Sequence, residues 1–391
     1  MRKYICFIVQ NYYQYDVRVK RYVNVLLNNG YYVDVIALSE RGMPFIEKQD
    51  KFSIFRIGLP KKRGSLIRYF MEYLIFFLES TFLVSILYFK KRYDIIHVNT
   101  LPDFLVFSTL FVKLLGAKII LDMHEIAPEF FQVKFNKSEN NISIRFLKII
   151  EKLSLSFCDH SLTVTEAIKN IFLKRAISKN KIDVIMNVPD KIVEKETTKL
   201  DYSDRFNLVY HGTLTELYSL EQIITALSKL IKRIPHVKLY VYGEGPSKQK
   251  LEELSASLDL EEYVSFKDYL PHQQILEILL DMDVGVLPIN RNPFIDLSFS
   301  NKLGEYVSIG LPVIISKIPS IMYYFSEKSL FYCDNNIDQI CDQLEYIFKN
   351  PDETTQRISD AKEDILKINW GIMSSKYLKI VESLCKNKHK Y

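Results

Sequence analysis

The feature that most restricts this chain is an alternation, run through twice, of short apolar segments with segments of helical period. Residues 4–9, 32–38, 52–57, 95–98, 118–121 and 161–164 are rich in Val, Ile and Leu and read as strands. Residues 17–28, 103–115 and 142–157 lie between them as helices. In the first of these, Val19, Tyr22, Val23, Leu26 and Leu27 are the apolar positions, and Gly30 stops the helix. The pattern resumes with strands at 206–210, 237–242, 264–266, 284–287, 313–315 and 330–332, and helices at 220–233, 248–258, 273–280 and 337–348. Repeated strand–helix alternation implies a parallel, doubly wound sheet. Residues 190–204 are polar, charge-mixed and aperiodic, and are expected to link two such sheets. A chain of 391 residues is long enough for two cores.

Composition removes several function classes. A net charge of +5 does not support binding of nucleic acid by bulk charge. Cys6, Cys158, Cys333, Cys341 and Cys385 are scattered, odd in number and without C-x-x-C spacing. They read as reduced core thiols of a cytoplasmic protein rather than disulfides or zinc ligands. The apolar run at 4–9 is too short for a signal peptide. Val9-Gln-Asn-Tyr-Tyr-Gln14 contains no glycine, so the first strand is not followed by a dinucleotide-binding G-x-G-x-x-G turn.

Residues 66–89 come close to a membrane span, flanked by Lys61-Lys62-Arg63 and Lys90-Lys91-Arg92. They carry Arg68, Glu72 and Glu79, and each charge costs about 2.5–3.5 kcal/mol at a bilayer centre. The expectation is a packed crossover helix; the alternative adds peripheral contact with anionic lipid through the basic clusters.

The stretch 300–315 reads as a helix stopped by Gly310 and Pro312, then a buried strand. Asn301, Glu305 and Ser308 share a polar stripe; Leu303, Val307 and, less centrally, Tyr306 face the core. Ser298 and Ser300 precede it, and Lys302 in its first turn has the wrong sign for the helix dipole, which suits a residue that meets an external anion. The plain alternative is a solvated face with a Lys302–Glu305 pair.

Lys302-Leu-Gly-Glu-Tyr-Val-Ser-Ile-Gly-Leu-Pro-Val-Ile314 resembles the donor-site signature of the family 4 retaining glycosyltransferases of GT-B fold. The order of further motifs is similar to that family from Asp16 to Pro312: Asp16-Val-Arg18, the Asp122-Met-His-Glu-Ile-Ala-Pro-Glu129 segment, the Gly loop Tyr210-His-Gly-Thr213, and Tyr242-Gly-Glu-Gly-Pro246. The resemblance implies two Rossmann-like domains facing a cleft, 1–189 and 205–371, with residues 372–391 as a helix crossing back to the first. It also implies metal-independent, retaining transfer of a sugar from a UDP- or GDP-linked donor, with no cofactor. The acceptor would be a glycan or polyprenyl-linked glycan, in assembly of a bacterial surface polysaccharide on the cytoplasmic membrane face. Glu305 would hold the ribose and Lys302 the diphosphate, with Gly212, Thr213, Gly243, Glu244, Gly245, Ser300, Asn301 and Leu303 around the donor. His124 would lie near the reacting sugar, and Asp16, Arg18, Glu125 and Glu129 on the acceptor side.

Two departures stand against the pattern. Many members carry Glu-x7-Glu, but Leu297 stands eight before Glu305, and Asp296 is one residue out of step. Residues 213–218 lack the basic pair that neutralises the leaving group, which leaves Lys302, with Arg291, to supply that charge. A degenerate GT-B protein that binds a nucleotide sugar without transferring it is the alternative.

Overall fold

The computed structural model describes residues 2–59, 66–175, 178–189 and 200–387. It forms two compact units, Met1–Asn187 with Gly371–Tyr391, and Val188–Trp370. Most of the expected linker, residues 190–199, and the basic cluster at 61–63 lie outside the described residues.

The first unit runs β1 (Tyr4–Val9), α1 (Val17–Asn28), β2 (Tyr32–Leu38), β3 (Ile46–Lys48), β4 (Phe52–Ile57), α2 (Leu66–Lys91) and β5 (Ile95–Asn99). A 3₁₀ segment, Asp103–Thr109, leads into α3 (Leu110–Leu114). Then come β6 (Lys118–Met123), α4 (Ala127–Lys134), α5 (Ile142–Phe157), β7 (His160–Thr163), α6 (Glu166–Arg175) and β8 (Ile182–Val184). The sheet order is β3-β4-β2-β1-β5-β6-β7-β8, parallel apart from the β3–β4 edge pair. β5 is buried along its whole length, which is why its sequence reads as an apolar run. Right-handed crossovers place helices by their direction of travel. By that rule α1, passing from β1 to β2, lies on one face. α2, α3, α5 and α6, all passing the other way, cover the opposite face.

The second unit runs β9 (Phe206–His211), α7 (Leu220–Leu230), β10 (Val237–Tyr242), α8 (Lys248–Ser257), β11 (Val264–Lys267), α9 (His272–Leu279) and β12 (Val284–Leu287). It continues with α10 (Asn301–Ile309), β13 (Val313–Ser316), α11 (Pro319–Met322), β14 (Phe331–Cys333), α12 (Ile337–Lys349) and α13 (Pro351–Leu366). The strands are parallel in the order β11-β10-β9-β12-β13-β14. The last helix, α14 (Trp370–Asn387), packs in the first unit from Gly371 onward. There Tyr377 lies 4.3 Å from the Tyr22 ring, and its hydroxyl is 3.0 Å from Nδ1 of buried His97.

α10 is more deeply set than its polar stripe suggests. Tyr306 is fully buried, and its hydroxyl donates to the Val209 carbonyl and accepts from the His211 amide, each at 3.3 Å. Gly285 of β12 makes the space, since a Cβ there would lie 2.4 Å from the Tyr306 ring. Ser308 is buried as well and returns its Oγ to the Glu305 carbonyl at 2.8 Å. The reason is α13, a helix absent from the sequence reading, which packs on α10 from the side opposite the sheet. The edge strand β3 also goes unread in the sequence, and the expected helix at 103–115 begins as a 3₁₀ segment.

The order of crossing reverses once in each sheet, between β1 and β5 and between β9 and β12. Such switch points open a crevice beyond the carboxyl ends of the strands, where ligands bind in open α/β sheets.

Candidate functional site

At the switch point of the second unit, the loops after β9, β10 and β12 meet the start of α10. Ser300 is the N-cap residue with extended backbone, but its side chain makes no capping bond. The first-turn amides of Asn301, Lys302 and Leu303 therefore have no side-chain cap, and the positive end of the helix dipole accompanies them. Leu303 itself is buried, so only its backbone serves the site.

Lys302 Nζ sits 3.9 Å from the Tyr218 ring centroid and 5.4 Å from that of Tyr210. Among the described residues it has no carboxylate within ion-pair distance. Gly212 explains its path: with φ +119, a Cβ on Gly212 would stand 2.4 Å from Lys302 Cε. The glycine thus makes room for the lysine stem, and the rings hold the ammonium by cation–π attraction.

Glu305, one turn further on, is clamped by two histidines. His272 Nε2 hydrogen-bonds Oε1 at 3.0 Å, and His211 Nε2 lies 3.1 Å from Oε2, near enough for attraction but not aligned as a hydrogen bond. Burial pushes the Glu305 pKa up, yet the histidines outweigh it and the net shift is downward. His272 reaches Glu305 because α9 and α10 make successive crossovers in one direction and so lie side by side.

Other expected donor residues have internal roles. A Cβ on Gly243 would fall 1.9 Å from the Gly212 carbonyl oxygen, and one on Gly245 2.2 Å from that of Leu214. These glycines let two loops pack together; what approaches them closely is backbone of this chain. Glu244 is exposed and paired with Lys248 at 2.6 Å. Thr213 is exposed, and its carbonyl accepts from Tyr210. Arg291 is held bidentately by Asp296 at 2.8 and 2.9 Å, so the second cation expected for the leaving group is already neutralised.

The first unit carries its own pocket at its switch point, about 200 Å³, lined by residues that include Asp16, Tyr73, Asn99, Thr100, His124 and Glu125. Asp122, fully buried beneath it, takes Arg18 bidentately at 2.7 and 2.8 Å and Asn99 Nδ2 at 3.1 Å. Burial alone would raise the Asp122 pKa; Arg18 overrides it and holds the group ionised. His124 Nδ1 is buried 4.0 Å from Asp122 Oδ2 and has no hydrogen-bond partner, and the same is true of Asn99 Oδ1. Among the described residues these two shielded atoms lack the partners that buried polar groups normally have, while the residues that carry them line the pocket.

This geometry reassigns two acceptor-side residues. Arg18 is buried and spent on Asp122 and the Ile185 carbonyl, so it shapes the pocket floor and does not face the acceptor. Glu129 is buried and paired with Arg175, which also holds Glu151. Asp16 caps α1 through the Val19 amide while lining the pocket. Tyr218, His272 and Asn99 are absent from the sequence-derived site. No local spacing marks them, because each reaches its site only through strand order.

Residues 16–190 match the family model described as Glycosyltransferase Family 4, and residues 193–364 match Glycosyl transferases group 1. The O-antigen biosynthesis glycosyltransferase WclY of Escherichia coli is 24% identical over 303 residues, covering 75% of this chain and 80% of that protein. Sucrose-phosphate synthase from Thermosynechococcus elongatus superposes with a TM-score of 0.75 at 16% identity, covering 98% of this chain and 99% of that one. HepE of Anabaena, solved in complex with UDP, gives 0.68 at 13% identity over 97% of this chain and 100% of its own. At such identities the structures establish the fold, two Rossmann-like domains of GT-B type.

Proposed function

Because this chain belongs to glycosyltransferase family 4, we propose that it moves a sugar, with retention of configuration, from a nucleoside diphosphate donor to a glycan or lipid-linked acceptor. The observation that carries this reading is the start of α10. There a cation without a carboxylate partner among the described residues, amides without a side-chain cap, and an ionised carboxylate converge within two turns. A diphosphate meets Lys302 and the amides. The ribose diol donates to the two oxygens of Glu305, taking the place of His272. As the bond from the sugar's anomeric carbon to the diphosphate breaks, negative charge grows on the leaving oxygen. Lys302 and the helix dipole are fixed beside it, and such preorganised charge is commonly the largest catalytic contribution. The acceptor oxygen forms the new bond on the same face, and its proton passes to the leaving phosphate. Lys302 and the helix supply the positive charge in this scheme, with no resident metal assigned.

His124 and Asn99, which line the first unit's pocket, meet sugar hydroxyls there. WclY is named for O-antigen biosynthesis and HepE was solved with UDP; these likenesses support the reading that this chain acts on the cytoplasmic side in assembly of a surface glycan, from a UDP- or GDP-linked sugar. The test is calorimetry with UDP, GDP and other nucleoside diphosphates on the native chain, Glu305→Ala and Lys302→Ala. One nucleotide should bind the native chain and bind both variants at least about tenfold more weakly, the worth of one charge-assisted hydrogen bond. No binding by any nucleotide to the folded native chain would remove the donor-site assignment.

A further inference from the structure

The helices on the α2 face of the first sheet carry apolar side chains on the side turned away from it. α2 buries Phe76, Val84 and Leu87 against the unit, yet Leu78, Phe82 and Phe89 recur at helical spacing on its outer side, with Phe82 70% exposed. Only 28% of the most apolar stretch of this helix is buried. The packed crossover helix expected from sequence is therefore packed on one side only. α3 continues the surface: Phe111 touches Phe89, ring centroids 5.9 Å apart, and Leu114 is 78% exposed. α5 repeats the device with Ile142, Phe146, Ile149 and Leu153, one turn apart and all exposed. A helix apolar all round belongs in a protein core or a lipid phase, and exposed apolar surface shared by three neighbouring elements marks a docking face.

Charge selects the occupant. Lys90, Arg92, Arg145 and Lys152 are exposed beside these stripes, whereas Glu79 is the one exposed acid among the described residues of the three helices. Glu72 and Glu151 are turned inward and paired with Arg68 and Arg175. A two-fold contact between copies would set these cations against their own symmetry mates.

We propose that α2, α3 and α5 form one face that lies in the interface of a bilayer containing anionic phospholipid. The apolar stripes enter the acyl boundary, and the four cations stay at headgroup level. α2 lies along the surface and does not span, because its inner side is committed to the sheet. The purpose of this face rests on the proposed transferase reading. Tyr73, on the inner side of α2, lines the His124 pocket, so docking brings that pocket to an acceptor held in lipid.

Flotation of the full chain with phosphatidylcholine vesicles, with and without phosphatidylglycerol, tests this. Binding should require phosphatidylglycerol and weaken with salt. Phe82→Ser combined with Phe146→Ser should lower partitioning by about tenfold or more. Arg145→Gln and Lys152→Gln should each lower it about fivefold. All these side chains are exposed, so melting temperatures should hold, and nucleotide affinity measured in the same samples should be unchanged. Absence of vesicle binding, or variants that bind as the native chain does, would overturn the proposal. So would a dimer that Phe82→Ser and Phe146→Ser dissociate, which would assign the face to a second copy. Vesicle binding without nucleotide binding would instead count against the transferase reading alone.

Discussion

Replacing Lys302 by Met separates the lysine's structural part from its charge. The methionine stem still fills the space that Gly212 leaves and still lies on Tyr218 and Tyr210; only the ammonium is lost. Since no carboxylate pairs with Lys302 among the described residues, its removal strands no buried partner. The cost to the fold is the cation–π attraction, about 0.5–1 kcal/mol at a partly exposed site. A nucleoside diphosphate loses a charge-assisted contact worth about 1.5–3 kcal/mol. That corresponds to a roughly 10- to 150-fold weaker Kd. Urea unfolding gives the first number and titration calorimetry with the preferred nucleotide gives the second. A Kd within about twofold of native, a change of only a few tenths of a kcal/mol, would show that the Lys302 ammonium makes no contact with the diphosphate. A variant that loses several kcal/mol of stability would show instead that Lys302 holds the fold.

Glu305→Gln keeps the shape of the side chain and removes its charge. Nucleoside diphosphate affinity should fall about tenfold or more, while affinity for inorganic pyrophosphate, which has no ribose, should not change in a parallel titration. Gly212→Ala forces a side chain into a positive-φ position and onto Lys302 Cε; it should cost about 1–3 kcal/mol in chemical denaturation and weaken nucleotide binding as the lysine is displaced. Asp103 is buried, and burial, reinforced by Glu151 and Glu125, pushes its pKa up to about 8. A raised folded-state value means its contribution is most favourable below the unfolded value near 4, and is lost as pH rises through about 8. Asp103→Asn should therefore raise the melting temperature at about pH 8, with the gain fading toward about pH 4; an equal effect at both ends would show that ionisation is not the cause.

Much of the architecture was legible because parallel strands buried on both faces leave unbroken Val and Ile runs, as in β1 and β5, and because Asp16 and Gly310 punctuate their helices as caps should. The edge strand β3 was not, since its mostly exposed residues have no apolar signature. At the candidate site, Glu305 and Lys302 stand in one contiguous stretch, so the sequence could single them out together. Their partners are not in that stretch. His272 meets Glu305 only because two crossovers run in one direction, and Tyr218 meets Lys302 only because the loop after β9 folds over α10. Arg18, implied by resemblance on the acceptor side, is buried because Asp122, on β6, lies beneath it, and nothing local announces that. The same is true of Glu129, its partner Arg175 arriving from α6. Gly243 and Gly245, placed around the donor by resemblance, stand where backbone of the chain itself comes close. Composition showed that α2 is apolar; which of its sides the sheet would cover depended on strand order.

Retaining transfer from a donor held at the start of α10 fixes which anomer leaves the enzyme first. Proton NMR of the sugar first released when the preferred nucleotide sugar is turned over, with water as acceptor, tests it most directly. The native chain should release the sugar first in the donor's own anomeric configuration, and Lys302→Met should abolish release while remaining folded. Release of the opposite anomer would contradict retention. A folded native chain that binds the nucleotide yet releases no sugar from any of its donors would contradict transfer itself.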